Sequence, residues 1–366
     1  MLTYKSAGVD ISATSAVKRR IGQMVRTTYS PQVLSEIGLF GSLYELKGYK
    51  HPVLVASCDG VGTKLMVARM MGKHDTVGED IVNHSVNDIL TLGARPLFFL
   101  DYIAYAKLPP KTVPDVIKGL VRGCKRNGCA LIGGETAMMP GLYPKGDYDL
   151  AGTIVGVVEK KDIIKPARIR PGDVILGLPS TGLHTNGFSL ARKILFDRMK
   201  LRPADRLPLP ALRSPQSPVS SSPIAYRLSP IAARGSQFAV PSPQSTVGSA
   251  LLRVHRSYLA PLAPWLKQVH ALAHITGGGF KENIERLLPR RADCIIYKDS
   301  WRVPDIFRVI QRGGRVPDSE MYHVFNMGIG MVVMVDKRVA VKMLSSIPDA
   351  RLIGEITSGS GSVTLR

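Results

Sequence analysis

Short apolar runs and longer amphipathic stretches alternate along the first part of this chain. "PVLVASCD", "RPLFFLDYIAYA", "CALIGGET" and "YDLAGTIVGVVE" are four runs rich in aliphatic, β-branched or aromatic residues, and the first three run into a turn or a glycine. Runs of that length and composition predict strands. Between them, "TVGEDIVNHSVNDILTLG" and "VPDVIKGLVRGCKRNG" have helical spacing, the second closed by a glycine after basic residues. Strands alternating with helices over residues 1–163 predict an α/β or α+β sandwich.

A second unit is expected over residues 164–366. "RPGDVILGLPSTGLHTNGFSLARKIL" supplies a strand, a Gly-rich loop and a helix. "HALAHITGGGFKENIERLL", "WRVPDIFRVIQRGG" and "FNMGIGMVVMVDKRVAVKMLSSI" repeat those themes, and "ARLIGEI…GSVTLR" predicts a closing strand pair. One stretch breaks the pattern. About residues 203–246, proline and serine dominate, with no lysine between Lys200 and Lys267 and no acid between Asp205 and Glu282. Such a composition buries too little surface to offset the entropy of ordering, so a disordered insertion is expected there. A segment translated in the wrong frame, or a retained intron, is the other reading of the same anomaly.

Composition narrows the function classes. The 366 residues are 45% hydrophobic and 21% charged, the balance of a globular protein. No apolar run is long enough to cross a bilayer, and "MLTYKSAGVD" has no secretory core. The four cysteines (58, 124, 129, 294) are too scattered for a disulfide framework or a zinc knuckle. Reduced thiols and a cytoplasmic location are expected. A net charge of +21 attracts polyanions. The basic residues are nevertheless spread along the chain and aromatics are only 6%, which argues against a nucleic-acid module.

The candidate chemistry lies in "VLVASCDGVGTKLMV" and the helix that follows. A P-loop needs Gly-x-x-x-x-Gly-Lys and then Ser or Thr; here Asp59 comes first and Thr63 precedes Lys64. Asp80, His84, Asn87 and Asp88 fall at i, i+4, i+7 and i+8 on one helix face, with Val82, Val86 and Ile89 opposite. Alone, that polar face reads equally well as solvated surface. Asp59, Asp101 and Glu135, however, each follow an apolar run, and ligands of open α/β sheets collect where strands end. Three carboxylates at one sheet edge beside an Asp- and Asn-bearing helix suit a hard cation such as Mg²⁺. Gly60, Gly62, Gly133 and Gly134 would let backbone N–H groups approach phosphates, and Lys64 would add a point charge.

Several motifs in order, "LTYKSAGVDI", "DGVGTKL", "GARPLFFLDY", "GGETAMMPGLY", "STGLHTNGFSLARKIL", "HITGGGFKENI" and "EMYHVFNMGIGM", resemble the aminoimidazole ribonucleotide synthetase (phosphoribosylformylglycinamidine cyclo-ligase) family. The resemblance covers nearly the whole chain outside about 203–246. "DGVGTK" by itself also fits relatives sharing the ATP-binding fold, among them selenophosphate synthetase and thiamine-phosphate kinase. A basic nucleic-acid-binding scaffold without catalysis is the reading from another class. The resemblance implies two α/β domains, a homodimer whose N-terminal strands join in a barrel, and ATP with Mg²⁺. The implied reaction is ring closure of formylglycinamidine ribonucleotide through an O-phosphorylated imidate.

On that resemblance, Asp59, Asp88 and Glu135, with Asn87 assisting, would hold the metal. Thr63, Lys64, Gly133, Gly134 and Thr136 would serve the nucleotide. His184, with Lys64, would act in catalysis. Asp101, Asn186 and Gly277, Gly278 and Gly279 would line the substrate site, and His84 is expected to pack. The chain departs from the family at Met138 and Met327, and at Val254-His255, where a Pro-Thr pair is usual.

Overall fold

The computed structural model describes residues 2, 14–36, 38–208 and 245–366. Most of "LTYKSAGVDI", and residues 209–244 of the expected insertion, lie outside them. The flanks of that segment are ordered. The Leu207 N–H donates to Ser245 O (3.0 Å) and the Val247 N–H to Asp205 O (2.9 Å), so residues 205–207 and 245–247 pair with one another. No helix among the described residues is long and apolar enough to cross a membrane.

The chain divides into two units, Met1–Leu90 with Ala94–Lys161, and Thr91–Gly93 with Asp162–Arg366. The first contains α1 (Thr14–Arg26), β1 (Pro52–Gly60), α2 (Lys64–Met71), α3 (Asp75–Leu90), β2 (Arg95–Tyr105), α4 (Thr112–Asn127), β3 (Ala130–Met138) and β4 (Tyr148–Glu159). All four expected strands and both expected helices are present, and α4 ends at Gly128 in the left-handed region as its sequence predicts. Helices α1 and α2 have no counterpart in the sequence reading.

The strands form a mixed sheet in the order β1-β4-β2-β3, antiparallel except for the β2–β3 pair. Helix α3 packs on β4, β1 and β2, and α4 on α3 and β3. Their apolar residues, with Phe99, Ile103 and Ile154 from the sheet, form the core. The opposite sheet face leaves Leu54 62% and Tyr102 37% exposed.

The second unit is built on a six-stranded sheet, β10-β7-β9-β5-β8-β6. Its strands are β5 (Val174–Pro179), β6 (Val269–His274), β7 (Ala292–Ile296), β8 (Ile329–Val335), β9 (Arg351–Ser358) and β10 (Val363–Leu365). Strands β5, β6 and β8 are buried along their whole length, and β5 and β8 accordingly read as unbroken apolar runs. The two last strands are not partners, contrary to the expected closing pair. Strand β7 lies between them, and β10 joins it in parallel. Asp293 on β7 holds the link in place, its Oδ1 accepting the N–H groups of Ser360, Gly361 and Ser362 at 2.8–2.9 Å.

Candidate active site

In the first unit Asp101 and Glu135 lie within their strands, while Asp59 is the last residue but one of β1. Asp59 pairs across the sheet with Gly152, and Gly152 with Asp101, so both acids share one row and one face, the face covered by α3. Asp59 Oδ2 lies 2.6 Å from His84 Nε2, and Asp88 Oδ2 lies 3.5 Å from the same atom. The Ser57 hydroxyl donates to Asp88 Oδ2 (3.2 Å), and the Gly60 N–H to Asp59 Oδ1 (2.6 Å). Asp59 and Asp88 thus meet at one point, and the imidazole of His84 is set between them. Burial works against charge on this ring. The hydrogen bond to Asp59 and the charges of Asp88, Asp59 and Asp80 outweigh it, so the pKa is raised. His84 is buried, as the resemblance led one to expect, but it is also an ion-pairing partner of two carboxylates.

The polar face of α3 is not solvated. Asp80, Asn83, His84, Ser85 and Asn87 are all buried, because the helix is enclosed by the sheet on one side and α4 on the other. Lys64 is wholly buried at the start of α2 with its Nζ 2.7 Å from Asp80 Oδ2. Burial lowers its pKa, and Asp80 opposes that shift. The expectation of a lysine held out toward phosphate meets a different geometry, in which its charge is matched by an acid inside the protein.

The structure does not bring Glu135 to Asp59 and Asp88. Strand β3 is three strand positions from β1, about 14 Å at the usual spacing. Glu135 pairs with Tyr102, while Asp101 pairs with Gly134, so alternation puts Glu135 and Asp101 on opposite faces. Glu135 and Thr136 are exposed. A Cβ on Gly134 would collide with the Asp101 carboxylate, so glycine is needed here for close strand packing. Burial pushes the Asp101 carboxyl up to about 7; its own backbone N–H partly offsets this, and the charge of Glu135 adds to it. Gly62 lies at φ 69° with open space where a Cβ would sit, leaving room for a ligand at the turn before Thr63.

The second unit holds the remaining candidates around the loop between β5 and α5 (Phe188–Arg192). His184 is buried with φ 59°, a left-handed backbone uncommon outside glycine. Its Nε2 accepts the Thr181 N–H (3.2 Å) and, more weakly, the Arg256 N–H (3.5 Å). The Asn186 Oδ1 accepts the Gly277 N–H at 3.2 Å, which ties this loop to the glycine run after β6. Asn283 Nδ2 donates to the carbonyls of Gly277 (3.1 Å) and Gly279 (2.8 Å). Gly279, at φ 59°, has the Tyr322 carbonyl where a Cβ would be, so no side chain fits.

Two organising residues escaped the sequence reading. Asn326 Oδ1 accepts from Ser180 Oγ (2.9 Å) and the Gly328 N–H (2.9 Å), while its Nδ2 donates to Gly182 O (2.9 Å). The signal was a lone polar residue in the apolar run "VFNMGIGM". His255, at the departure from Pro-Thr, stacks on His184 with ring centroids 3.9 Å apart.

Comparison with known proteins accords with this architecture. Residues 45–158 match the family model "AIR synthase related protein, N-terminal domain", and residues 228–366 match its C-terminal counterpart. The chain is 45% identical to the phosphoribosylformylglycinamidine cyclo-ligase of Caldanaerobacter subterraneus subsp. tengcongensis, over all of both chains. It is 44% identical to the enzyme of that name from Syntrophotalea carbinolica, over 100% of this chain and 98% of the relative. Among solved structures, hydrogenase maturation protein HypE in complex with ATP has a TM-score of 0.60 at 17% identity, covering 96% of this chain and 91% of HypE. Thiamine-monophosphate kinase from Stenotrophomonas maltophilia has a TM-score of 0.61 at 17% identity, covering 96% and 95%; both likenesses concern the fold alone. With such identity over the full length of its relatives, the chain belongs to the phosphoribosylformylglycinamidine cyclo-ligase family.

Proposed function

We propose that this chain is the ATP-dependent cyclo-ligase that closes formylglycinamidine ribonucleotide to aminoimidazole ribonucleotide. The full-length identity to enzymes of that name carries the reading. In the proposed reaction, the formyl amide oxygen attacks the γ-phosphorus of ATP and ADP leaves. The internal nitrogen then attacks the resulting imidate carbon, and phosphate departs as the ring closes. No covalent enzyme nucleophile is required. The protein's task is positioning and charge neutralisation.

Asp59 and Asp88 fit a divalent cation. Both carboxylates approach one point, now taken by the His84 Nε2 that the ion would displace, and oxygen donors are what Mg²⁺ prefers. Mg²⁺, when bound, would offset phosphate charge there. The turn at Gly60–Thr63 would receive phosphate oxygens, and Asn87 and Lys64–Asp80 would hold α3 against α2. Glu135 and Thr136, on the exposed sheet face, would serve the nucleotide from a separate position. In the second unit, His184 and Asn186, with Gly277–Gly279, would bind substrate or move a proton.

The exposed sheet face with Leu54 and Tyr102 supports a homodimer joined through this sheet. Free cysteines at 58, 124, 129 and 294 suit a cytoplasmic enzyme.

The test is incubation with formylglycinamidine ribonucleotide, ATP and Mg²⁺, scoring aminoimidazole ribonucleotide by colorimetry and ADP in parallel. Equimolar product and ADP are expected. ADP release indifferent to the ribonucleotide would overturn the reading. Full turnover of Asp59→Asn with unchanged Mg²⁺ dependence would remove the metal assignment.

A further inference from the structure

Three imidazoles meet inside the second unit. His184 lies on the loop after β5, His255 on the segment before the helix Leu259–Leu262, and His274 at the end of β6. They are 1%, 0% and 6% exposed. One ring nitrogen of each lies within 4.8 Å of those of the other two. His255 Nε2 and His274 Nε2 are 3.0 Å apart, and the His255 Nδ1 is 3.3 Å from the Thr185 hydroxyl. We propose that His184, His255 and His274 form a binding site for a transition-metal dication of the zinc class.

The chemistry of the donors selects that class. Imidazole suits Zn²⁺, Co²⁺, Ni²⁺ and Cu²⁺, whereas Mg²⁺ and Ca²⁺ take oxygen. Three histidines around one ion leave a fourth position open for water or an anion. Zn–N bonds of about 2.0–2.1 Å in a tetrahedron put ligand nitrogens roughly 3.3 Å apart. The His255–His274 pair is already near that spacing, whereas His184, stacked on His255 and with its Nε2 accepting the Thr181 N–H, must turn out of that stack to present a nitrogen to the same ion. An ion takes the place of the proton that a hydrogen bond between the two Nε2 atoms requires, and that proton moves to the Nδ1 of its own ring. Both rings then keep one Nδ1–H, and that of His255 faces Thr185, the outer hydrogen bond that orients a metal-binding histidine. Arg256, whose backbone N–H lies against His184, has its guanidinium matched by Asp349 at 2.5 Å, which reduces its opposition to a cation.

This site is distinct from the acid pair of the first unit in donors and in expected ion. Because it draws on His184, an occupying ion would compete with any catalytic use of that ring.

The experiment uses the full chain, stripped with chelator and titrated with Co²⁺, followed by visible absorption and equilibrium dialysis. With excess Mg²⁺ present to fill the acid pair of the first unit, one Co²⁺ per chain is expected, with the strong visible bands of a four-coordinate ion, displaced by equimolar Zn²⁺. His255→Thr and His255→Gln should weaken binding at least 100-fold with unchanged circular dichroism, while Asp59→Asn leaves it intact. Co²⁺ binding that is absent, of weak six-coordinate spectrum, or unaltered in both His255 variants would overturn the proposal. Should both variants misfold, X-ray absorption at the zinc edge of the wild-type chain decides: three imidazole nitrogens at about 2.0–2.1 Å support the site, and fewer refute it.

Discussion

Asp101 offers the sharpest quantitative test of the first unit. It lies 9% exposed in the middle of β2, and burial raises its carboxyl from 3.8 to about 7. The unfolded chain binds its proton only below about 4, whereas the folded one holds it to near neutrality. Protons are thus lost from the unfolded state first, and the Asp101 contribution to stability falls as pH rises through that window. With those two values, the loss is about 1.7 kcal/mol at pH 5 and about 4.3 kcal/mol at pH 8 relative to strong acid. Between these two conditions the wild type should lose roughly 2.6 kcal/mol from this group. Asp101→Asn keeps the shape beside Gly134 and removes the charge. Urea unfolding of the full chain, followed by a probe in the first unit at pH 5 and pH 8, gives the comparison. The variant should be more stable than wild type at pH 8 and should close most of that gap at pH 5. A difference between the two proteins that does not change with pH would refute the burial argument.

Breaking the buried Lys64–Asp80 pair by Lys64→Met should cost roughly 3–5 kcal/mol, since Asp80 is left charged inside the protein; adding Asp80→Leu should recover most of the loss in urea unfolding. His84 should titrate above 6.5 by NMR, and Asp59→Asn should bring it down. Its stabilising contribution is present below 6.5 and disappears as pH rises through the raised folded value, so an imidazole indifferent to Asp59→Asn would contradict the pairing. Gly279→Ala should destabilise the second unit by more than about 1 kcal/mol, because the left-handed backbone and the Tyr322 carbonyl both exclude a Cβ; an unchanged thermal midpoint would show that the loop has another conformation.

Much of the candidate site was visible as residue types and little of it as geometry. The spacing of Asp80, His84 and Asp88 placed them on one face, but whether that face met water or the sheet depended on α4, whose packing on α3 encloses it. Asp59, Asp101 and Glu135 followed similar apolar runs, which made them look equivalent. The order β1-β4-β2-β3 separates them, and a one-residue difference in register turns Glu135 away from Asp101. The His184–His255 stack joins positions 71 apart in number, and no local pattern announces such a contact.

Local physical chemistry therefore determined the elements of this protein. Apolar runs became strands because extended chain buries alternate or successive side chains, and α4 stopped at Gly128 because a left-handed cap suits glycine. Strand order, register and the partners of buried charges were decided only by the tertiary structure. Desolvation makes an interior ion depend on what lies within a few ångströms, and those neighbours come from distant parts of the chain. Lys64 finds Asp80, His84 finds Asp59, and His255 finds His274 only once the sheets have formed.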